Sequence, residues 1–206
     1  MRELLARLAQ FVDPQQVIVV DDGSVDDTAE LCSTKGVRVF RHRRNLGKGK
    51  ALQTGFDAFL QTKFAFVATM DADLQHAPEH LPAFADVQSV TDADVVIGTR
   101  RMMGTGMPLH RILSNTITSR LVSVRTGMSI RDSQSGYRYI KRRVIEAVSL
   151  QSSGFEAETE FLLKAAGKGF VIGGVPIETI YAKEKSSMKN WETTVKFVKV
   201  LLQEYS

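Results

Sequence analysis

The stretch from Val67 to Pro78 holds the residues with the clearest chemical potential. An apolar run ends in two carboxylates one residue apart, Asp71 and Asp73; Gln75 follows, and Pro78 opens a helix. Carboxylates at this spacing, at the end of a strand, can converge on one hard divalent cation, which prefers oxygen ligands. A solvated Asp-rich turn that caps a helix is the plainer account of the same residues. Asp21 and Asp22 repeat the pattern directly after Val17–Val20. There a carboxylate can accept from a ribose hydroxyl or a base N–H, or simply cap a turn. Gly47-Lys48-Gly49 would let backbone approach a diphosphate, with Lys48 adding charge. The loop lacks both the third glycine of a dinucleotide fingerprint and the spacing of a P-loop. Arg100, Arg111 and Arg138 could each hold phosphate in a bidentate fork, and a solvated basic surface is the competing account. Asp132, in the turn-rich Asp132-Ser133-Gln134-Ser135-Gly136, could present a general base or a merely hydrogen-bonded carboxylate. His76 and His80 are four apart, but Pro78 between them starts the helix after His76, which argues against a zinc pair.

Strands alternating with helices must position these groups. Leu4, Leu5, Leu8, Phe11 and Val12 predict a helix that ends at Asp13-Pro14. Val17–Val20, Val37–Phe40, Phe64–Met70 and Ala93–Gly98 read as strands, with helices after Ser24, Gly47 and Pro78. Ser24 and Asp27 have capping-box spacing. Residues 107–126 read as a helix with scattered arginines, and Lys141-Arg142-Arg143 as a basic turn. An acidic helix is expected around Glu156, Glu158 and Glu160. Phe170–Ile180 should be a strand in which Pro176 marks an edge or a bend, and 191–202 a final helix. The pattern is an α/β layer architecture with a largely parallel sheet.

At 206 residues, 43% hydrophobic and 24% charged, the chain suits one soluble domain over 1–206 with one sizeable core. The excess of 27 basic over 23 acidic residues, +4 in all, suits phosphate-bearing ligands or an anionic membrane surface; no nucleic-acid partner is expected. Cys32 cannot form an internal disulfide and reads as a buried thiol. No run approaches the roughly 18 to 20 apolar residues of a membrane span. With no signal-peptide core at the start, a cytoplasmic protein is expected.

Five motifs follow one another: Val19-Val20-Asp21-Asp22-Gly23-Ser24, Asn45-Leu46-Gly47-Lys48-Gly49, Asp71-Ala72-Asp73-Leu74-Gln75-His76, Gly98-Thr99-Arg100 and Asp132-Ser133-Gln134-Ser135-Gly136-Tyr137-Arg138. In this order the chain resembles the family 2 glycosyltransferases, near the polyprenyl-phosphate (dolichol-phosphate mannose synthase-like) branch. That resemblance implies a GT-A fold, a three-layer sandwich around a mostly parallel sheet. It also implies an inverting transfer from a nucleotide-diphospho-sugar to a polyprenyl-phosphate or glycan acceptor, as in the building of cell-envelope glycans. By the same matching Asp21, Asp22 and Lys48 would hold the donor, and Asp71, Asp73 and Gln75 would hold Mg²⁺ or Mn²⁺. Arg100 and Arg111 would hold acceptor or donor phosphate, and Arg138, grouped with Asp132 as catalytic, could join them there. Asp132 would act as base toward a sugar hydroxyl, or only orient groups if the acceptor is an already ionised phosphate.

The family's usual first strand, central in its sheet and lining the nucleotide site, has no counterpart before the helix that begins at Met1. The chain is therefore expected to be N-terminally truncated relative to the family, with unpaired backbone where that strand would lie. The transfer reading stands beside two others, a truncated inactive nucleotide-sugar-binding or interaction module and a nucleotidyltransferase. Membrane contact, if made, would be peripheral, through 107–126 or the last helix.

Overall fold

The computed structural model describes residues 1–33, 35–101, 107, 109–178, 197, 199–201 and 203. Six strands and seven helices are assigned among them: α1 (Arg2–Leu8), β1 (Ile18–Asp21), α2 (Thr28–Ser33), β2 (Arg38–Arg41), α3 (Lys48–Leu60), β3 (Phe66–Thr69), α4 (Leu81–Thr91), β4 (Val95–Arg100), α5 (Leu109–Thr126), β5 (Arg138–Lys141), α6 (Arg142–Ala147), α7 (Ala157–Gly167) and β6 (Ile172–Ile177). The alternation expected through residue 100 is present. Asp26, rather than Ser24, accepts from the amide of Thr28 at the start of α2. Pro78 opens a 3-10 turn, Pro78–His80, before α4 begins.

Two parallel pairs bracket the fold. β1 pairs with β2, and β4 with β6. β5 lies between β3 and β4, antiparallel to both, in the order β3-β5-β4-β6. Lys141 closes β5 and Arg142 starts α6, so the basic turn expected at 141–143 is instead a strand end running into a helix. β6 is an edge strand, which is where Pro176 is tolerated because no neighbour needs its missing N–H.

The larger sheet is covered on both faces, which gives three layers. Val95 and Ile97 of β4 and Ile140 of β5 pack with Phe56 and Phe59 of α3, Val122 of α5, Val144 of α6 and Phe161 and Leu162 of α7. Val96 points the other way, against Phe84 of α4, Tyr137 and Ile177. Each such fully buried apolar side chain contributes about 2 kcal/mol. Leu5, Cys32 and Val37 form a smaller core beside β1 and β2, with the thiol buried as expected.

Among the described residues β1 has a ladder only with β2, and β3 only with β5. Between the two sheets runs a groove of about 870 Å³, lined by Ile18–Asp22 on one side, Phe66–Ala72 on the other, and the apolar faces of α1 and α3. The last helix expected from sequence, 191–202, lies outside the described residues apart from Phe197 and 199–201.

Candidate active site

The groove's lining includes Asp21, Asp22, Lys48 and Asp71. Strand ends and one helix start bring them together. Asp21 closes β1, Asp71 follows β3 by two residues, and Lys48 is the first residue of α3.

Asp71 is the open member, its side chain 39% exposed. The Lys48 ammonium sits on both of its oxygens, 2.8 Å from Oδ1 and 3.0 Å from Oδ2. Burial pushes the Asp71 carboxyl up most, but Lys48, His76 and Arg100 together outweigh it and leave the group below the ordinary carboxylate range. Burial likewise opposes the charged form of Lys48, and Glu158 and Asp71 overcome it and hold the ammonium above its usual value. The backbone N–H of Asp71 donates to His76 Nδ1 at 3.2 Å. His76 is buried against the Tyr137 ring, and His80 Nε2 accepts from the amide of Glu178. The two histidines are thus engaged separately. Asp73 is exposed, and its Oδ1 accepts from the amide of Gln75 at 3.0 Å. Leu74 between them has φ 64°, a left-handed conformation that costs a residue with a Cβ about 1 kcal/mol. Strain of this kind is retained where surrounding structure enforces a loop shape.

Asp22 turns out to organise backbone. Its carboxylate accepts from the N–H groups of Leu46 (2.9 Å) and Gly47 (2.8 Å), and meets His42 Nδ1 at 2.6 Å. Burial raises the group, and these bonds outweigh it and hold Asp22 below the usual range. Asp21 is buried, accepts from the amide of Ser24 at 2.8 Å and meets Arg41 at 3.2 Å. The glycines around Lys48 are also spoken for. The amide of Gly49 donates to Ser153 O at 2.8 Å, and a Cβ on Gly47 or Gly49 would collide with the carbonyl of Ser153 or Ser152. The close backbone approach expected for a diphosphate is therefore made by the chain itself. Glu160 fixes that 151–153 segment, accepting from the amides of Gln151 (2.9 Å) and Ser152 (2.7 Å) and pairing with Lys164.

Asp132 is fully buried. Oδ1 accepts from Arg100 Nη2 (2.8 Å) and Asn115 Nδ2 (2.9 Å); Oδ2 accepts from Arg100 Nε (2.7 Å) and its backbone N–H (3.2 Å). Arg100 ends β4 and Asn115 lies on α5, so the carboxylate joins strand to helix. Arg111 is half-buried in the first turn of α5, one helical turn before Asn115. Arg138 is not at the site's surface. Its guanidinium is buried, donates to the carbonyls of Ser133, Ser135 and Glu158, lies over the Phe161 ring and pairs with the Glu158 carboxylate at 2.8 Å. A group so enclosed cannot reach a phosphate in the groove, so the phosphate-holding expectation for Arg138 gives way to a supporting one.

Glu158 is the site residue that pattern reading missed. The run Glu156-Ala157-Glu158-Thr159-Glu160 looks like ordinary acidic residues at a helix start, where the dipole favours them. All three glutamates are buried, and Glu158 Oε1 lies 3.1 Å from the Lys48 ammonium. Three acids in the first turns of an otherwise apolar helix were the available signal.

The family model for glycosyl transferase family 2 matches residues 1–149. The chain belongs to that family. It is 32% identical to an undecaprenyl-phosphate mannosyltransferase of Micrococcus luteus over 84% of this chain and 75% of that one. It is 31% identical to a polyprenol monophosphomannose synthase of Mycolicibacterium smegmatis, over 84% and 70% of the two chains. Among solved structures, glucosyl-3-phosphoglycerate synthase of Mycobacterium tuberculosis, in complex with Mn²⁺, UDP and phosphoglyceric acid, superposes with a TM-score of 0.75 at 20% identity. That match covers 96% of this chain and 71% of that one. The fold is GT-A, and the chain is a glycosyltransferase.

Proposed function

We propose that this glycosyltransferase moves a sugar, with inversion, from a nucleotide-diphospho-sugar to a polyprenyl phosphate. The observation that carries the choice of acceptor is the state of Asp132. A sugar hydroxyl would need a base, and the residue best placed by sequence has each carboxylate oxygen accepting two hydrogen bonds in the closed interior. A phosphate oxygen is already ionised near neutral pH and needs none. It attacks the anomeric carbon, a new C–O bond forms as the bond to the diphosphate breaks, and the nucleoside diphosphate leaves. The names of the relatives, both polyprenyl-phosphate mannosyltransferases, point the same way.

Asp71 and Asp73, with Gln75 beside them, would hold Mg²⁺ or Mn²⁺. No group of three or more His, Cys, Asp or Glu is poised for a metal among the described residues. Two carboxylates nevertheless suit a small hard cation that takes its other ligands from substrate phosphates and water. The Asp71 carboxylate fits the ion in a second way, since it already attracts a cation, Lys48. When bound, the metal would neutralise the leaving diphosphate. Lys48 would add charge there, Asp21 and Asp22 would shape the nucleotide side, and Arg100, oriented by Asp132, would face acceptor phosphate together with Arg111. Arg138 would support these groups from beneath.

α5 supports a lipid acceptor at a membrane surface. It turns polar residues inward (Asn115, Thr118, Ser119) and leaves Leu109, Leu113, Ile117, Leu121 and Val124 exposed along one stripe, between 47% and 83%. Residues 101–131 contain no Asp or Glu but include Arg101, Arg111, Arg120, Arg125 and Arg131. An apolar stripe among basic residues suits an anionic interface, consistent with peripheral contact. No helix among the described residues is long and apolar enough to cross a membrane.

The deciding experiment incubates the chain with undecaprenyl phosphate, a panel of nucleotide-diphospho-sugars and Mn²⁺ or Mg²⁺, and follows lipid-linked sugar. Metal-dependent product that disappears in Asp73→Asn is expected; turnover indifferent to both metal and that substitution would refute the reading. The groove between β1 and β3 favours a second reading, a chain that binds donor weakly without turnover, because the strand edge beside Asp21 and Asp22 has no ladder partner among the described residues. Donor-dependent thermal stabilisation without product is its signature.

A further inference from the structure

Three charged groups converge on Gly136. The Lys48 ammonium, Asp71 Oδ2 and Glu158 Oε1 lie 2.8, 3.0 and 3.1 Å from where a Cβ on that residue would stand, so only glycine leaves them room. Lys48 grips both oxygens of Asp71, and a cation of the chain's own thus occupies the carboxylate assigned above to a divalent ion. Glu158 Oε1 lies 3.1 Å from the same nitrogen, an ion pair in a side chain only 3% exposed, so two carboxylates share one ammonium. A buried carboxylate depends on such a cation, and Lys48 already adjoins this oxygen. Its other oxygen is pinned by Arg138 at 2.8 Å, so the carboxylate stays where it is.

We propose that Lys48 is a place-holder cation at Asp71, and that Glu158 is the positioning residue that receives its ammonium when a divalent ion takes Asp71. A metal ion and an ammonium repel each other strongly when forced to share one carboxylate in a partly buried site. Lys48 stands on the first turn of α3, and its flexible stem carries the ammonium between two acceptors it already adjoins. Because Glu158 catches it, the charge remains beside the metal and faces the donor's diphosphate instead of leaving for solvent. Glu158 touches neither donor nor acceptor in this arrangement; it acts through Lys48. The inference rests on the metal reading of Asp71 and Asp73.

The test is Mn²⁺ binding, read from the free-ion electron paramagnetic resonance signal with and without UDP or GDP, in wild type, Glu158→Gln, Lys48→Met, the double variant and Asp73→Asn. Glu158→Gln removes the negative charge of the second acceptor and leaves only a neutral amide oxygen, so Mn²⁺ should bind about tenfold more weakly. Lys48→Met removes the competitor, and should tighten Mn²⁺ alone while weakening nucleotide in its presence. In the double variant Glu158→Gln should add no further loss of Mn²⁺ affinity beyond Lys48→Met. Lys48→Met leaves Glu158 paired with Arg138, so it keeps the inference testable even where Glu158→Gln fails to fold. Equal losses from Glu158→Gln in both backgrounds, or weaker Mn²⁺ binding in Lys48→Met, overturn the inference and leave the metal reading intact. No Mn²⁺ bound under any condition, or binding that survives Asp73→Asn, overturns both.

Discussion

Asp71 meets Lys48 at the open end of β3, while Asp132 meets Arg100 in the closed interior between β4 and α5. Both are aspartates beside a basic partner, and both follow sequence patterns that suit catalysis. Their surroundings separate them. Asp71 has a partly exposed carboxylate and one point charge on it; Asp132 has no exposed surface, a rigid planar fork across both oxygens, and an amide from Asn115. Under the proposed function the first arrangement would exchange its cation for another. The second holds an arginine in one orientation, with each carboxylate oxygen accepting two hydrogen bonds. In that proposal openness, rather than residue type, separates binding from support.

The largest effect expected from this contrast is on the open side. Asp73→Asn should lower turnover about 100- to 1,000-fold, as loss of a main electrostatic stabiliser does, with an unfolding midpoint close to wild type. On the closed side, Asp132→Asn should destabilise the fold by about 3 kcal/mol in urea unfolding, because Arg100 loses the charge that accompanies it into the interior. Its turnover per folded molecule should fall less than that of Asp73→Asn. The reverse order would restore Asp132 as a base and break the comparison. Gly49→Ala should cost about 2 kcal/mol, since a methyl there overpacks the Ser152 carbonyl; an unchanged melting temperature would show that the 152–153 segment can retreat.

A smaller effect sharpens the contrast through pH. Asp22 and Glu160 both titrate below their ordinary values of 3.8 and 4.5 in the folded chain. As pH falls through that range the unfolded chain takes up protons first, so their contribution, complete above the ordinary values, is lost toward the lower folded ones. Their contribution should therefore be level near neutrality and decline below about pH 5, in addition to the loss that buried His76, held below its ordinary 6.5, causes as pH falls through that value. Glu160→Gln should flatten the upper part of that decline in a pH series of denaturant melts; an unchanged slope would show that Glu160 binds its amides equally well when protonated.

Much of the framework was legible because local patterns agree with the tertiary result. β1 to β4, α3, α5 and α7 were marked by apolar runs, helical periodicity and caps. β5 was not, since Arg138-Tyr139-Ile140-Lys141 offers only one aliphatic side chain in four and owes its strand to the neighbours on either side. Among the site residues, the aspartates at strand ends were visible by type and spacing. Arg138 and Glu158 were not readable in the same way. A motif arginine and a helix-start glutamate look like surface charges until packing shows that they bury one another.

The sequence by itself determined the family, the alternation of strands and helices, and the oxygen-rich turns that end β1 and β3, because these depend on residue type and short-range spacing. Only the tertiary structure decided which charges face the groove. It drew Lys48, Asp71 and Glu158, far apart in the chain, to within hydrogen-bonding distance around a glycine, and it sealed Asp132 under Arg100. Burial and partner geometry set what a carboxylate can do, and both arise only when distant segments pack.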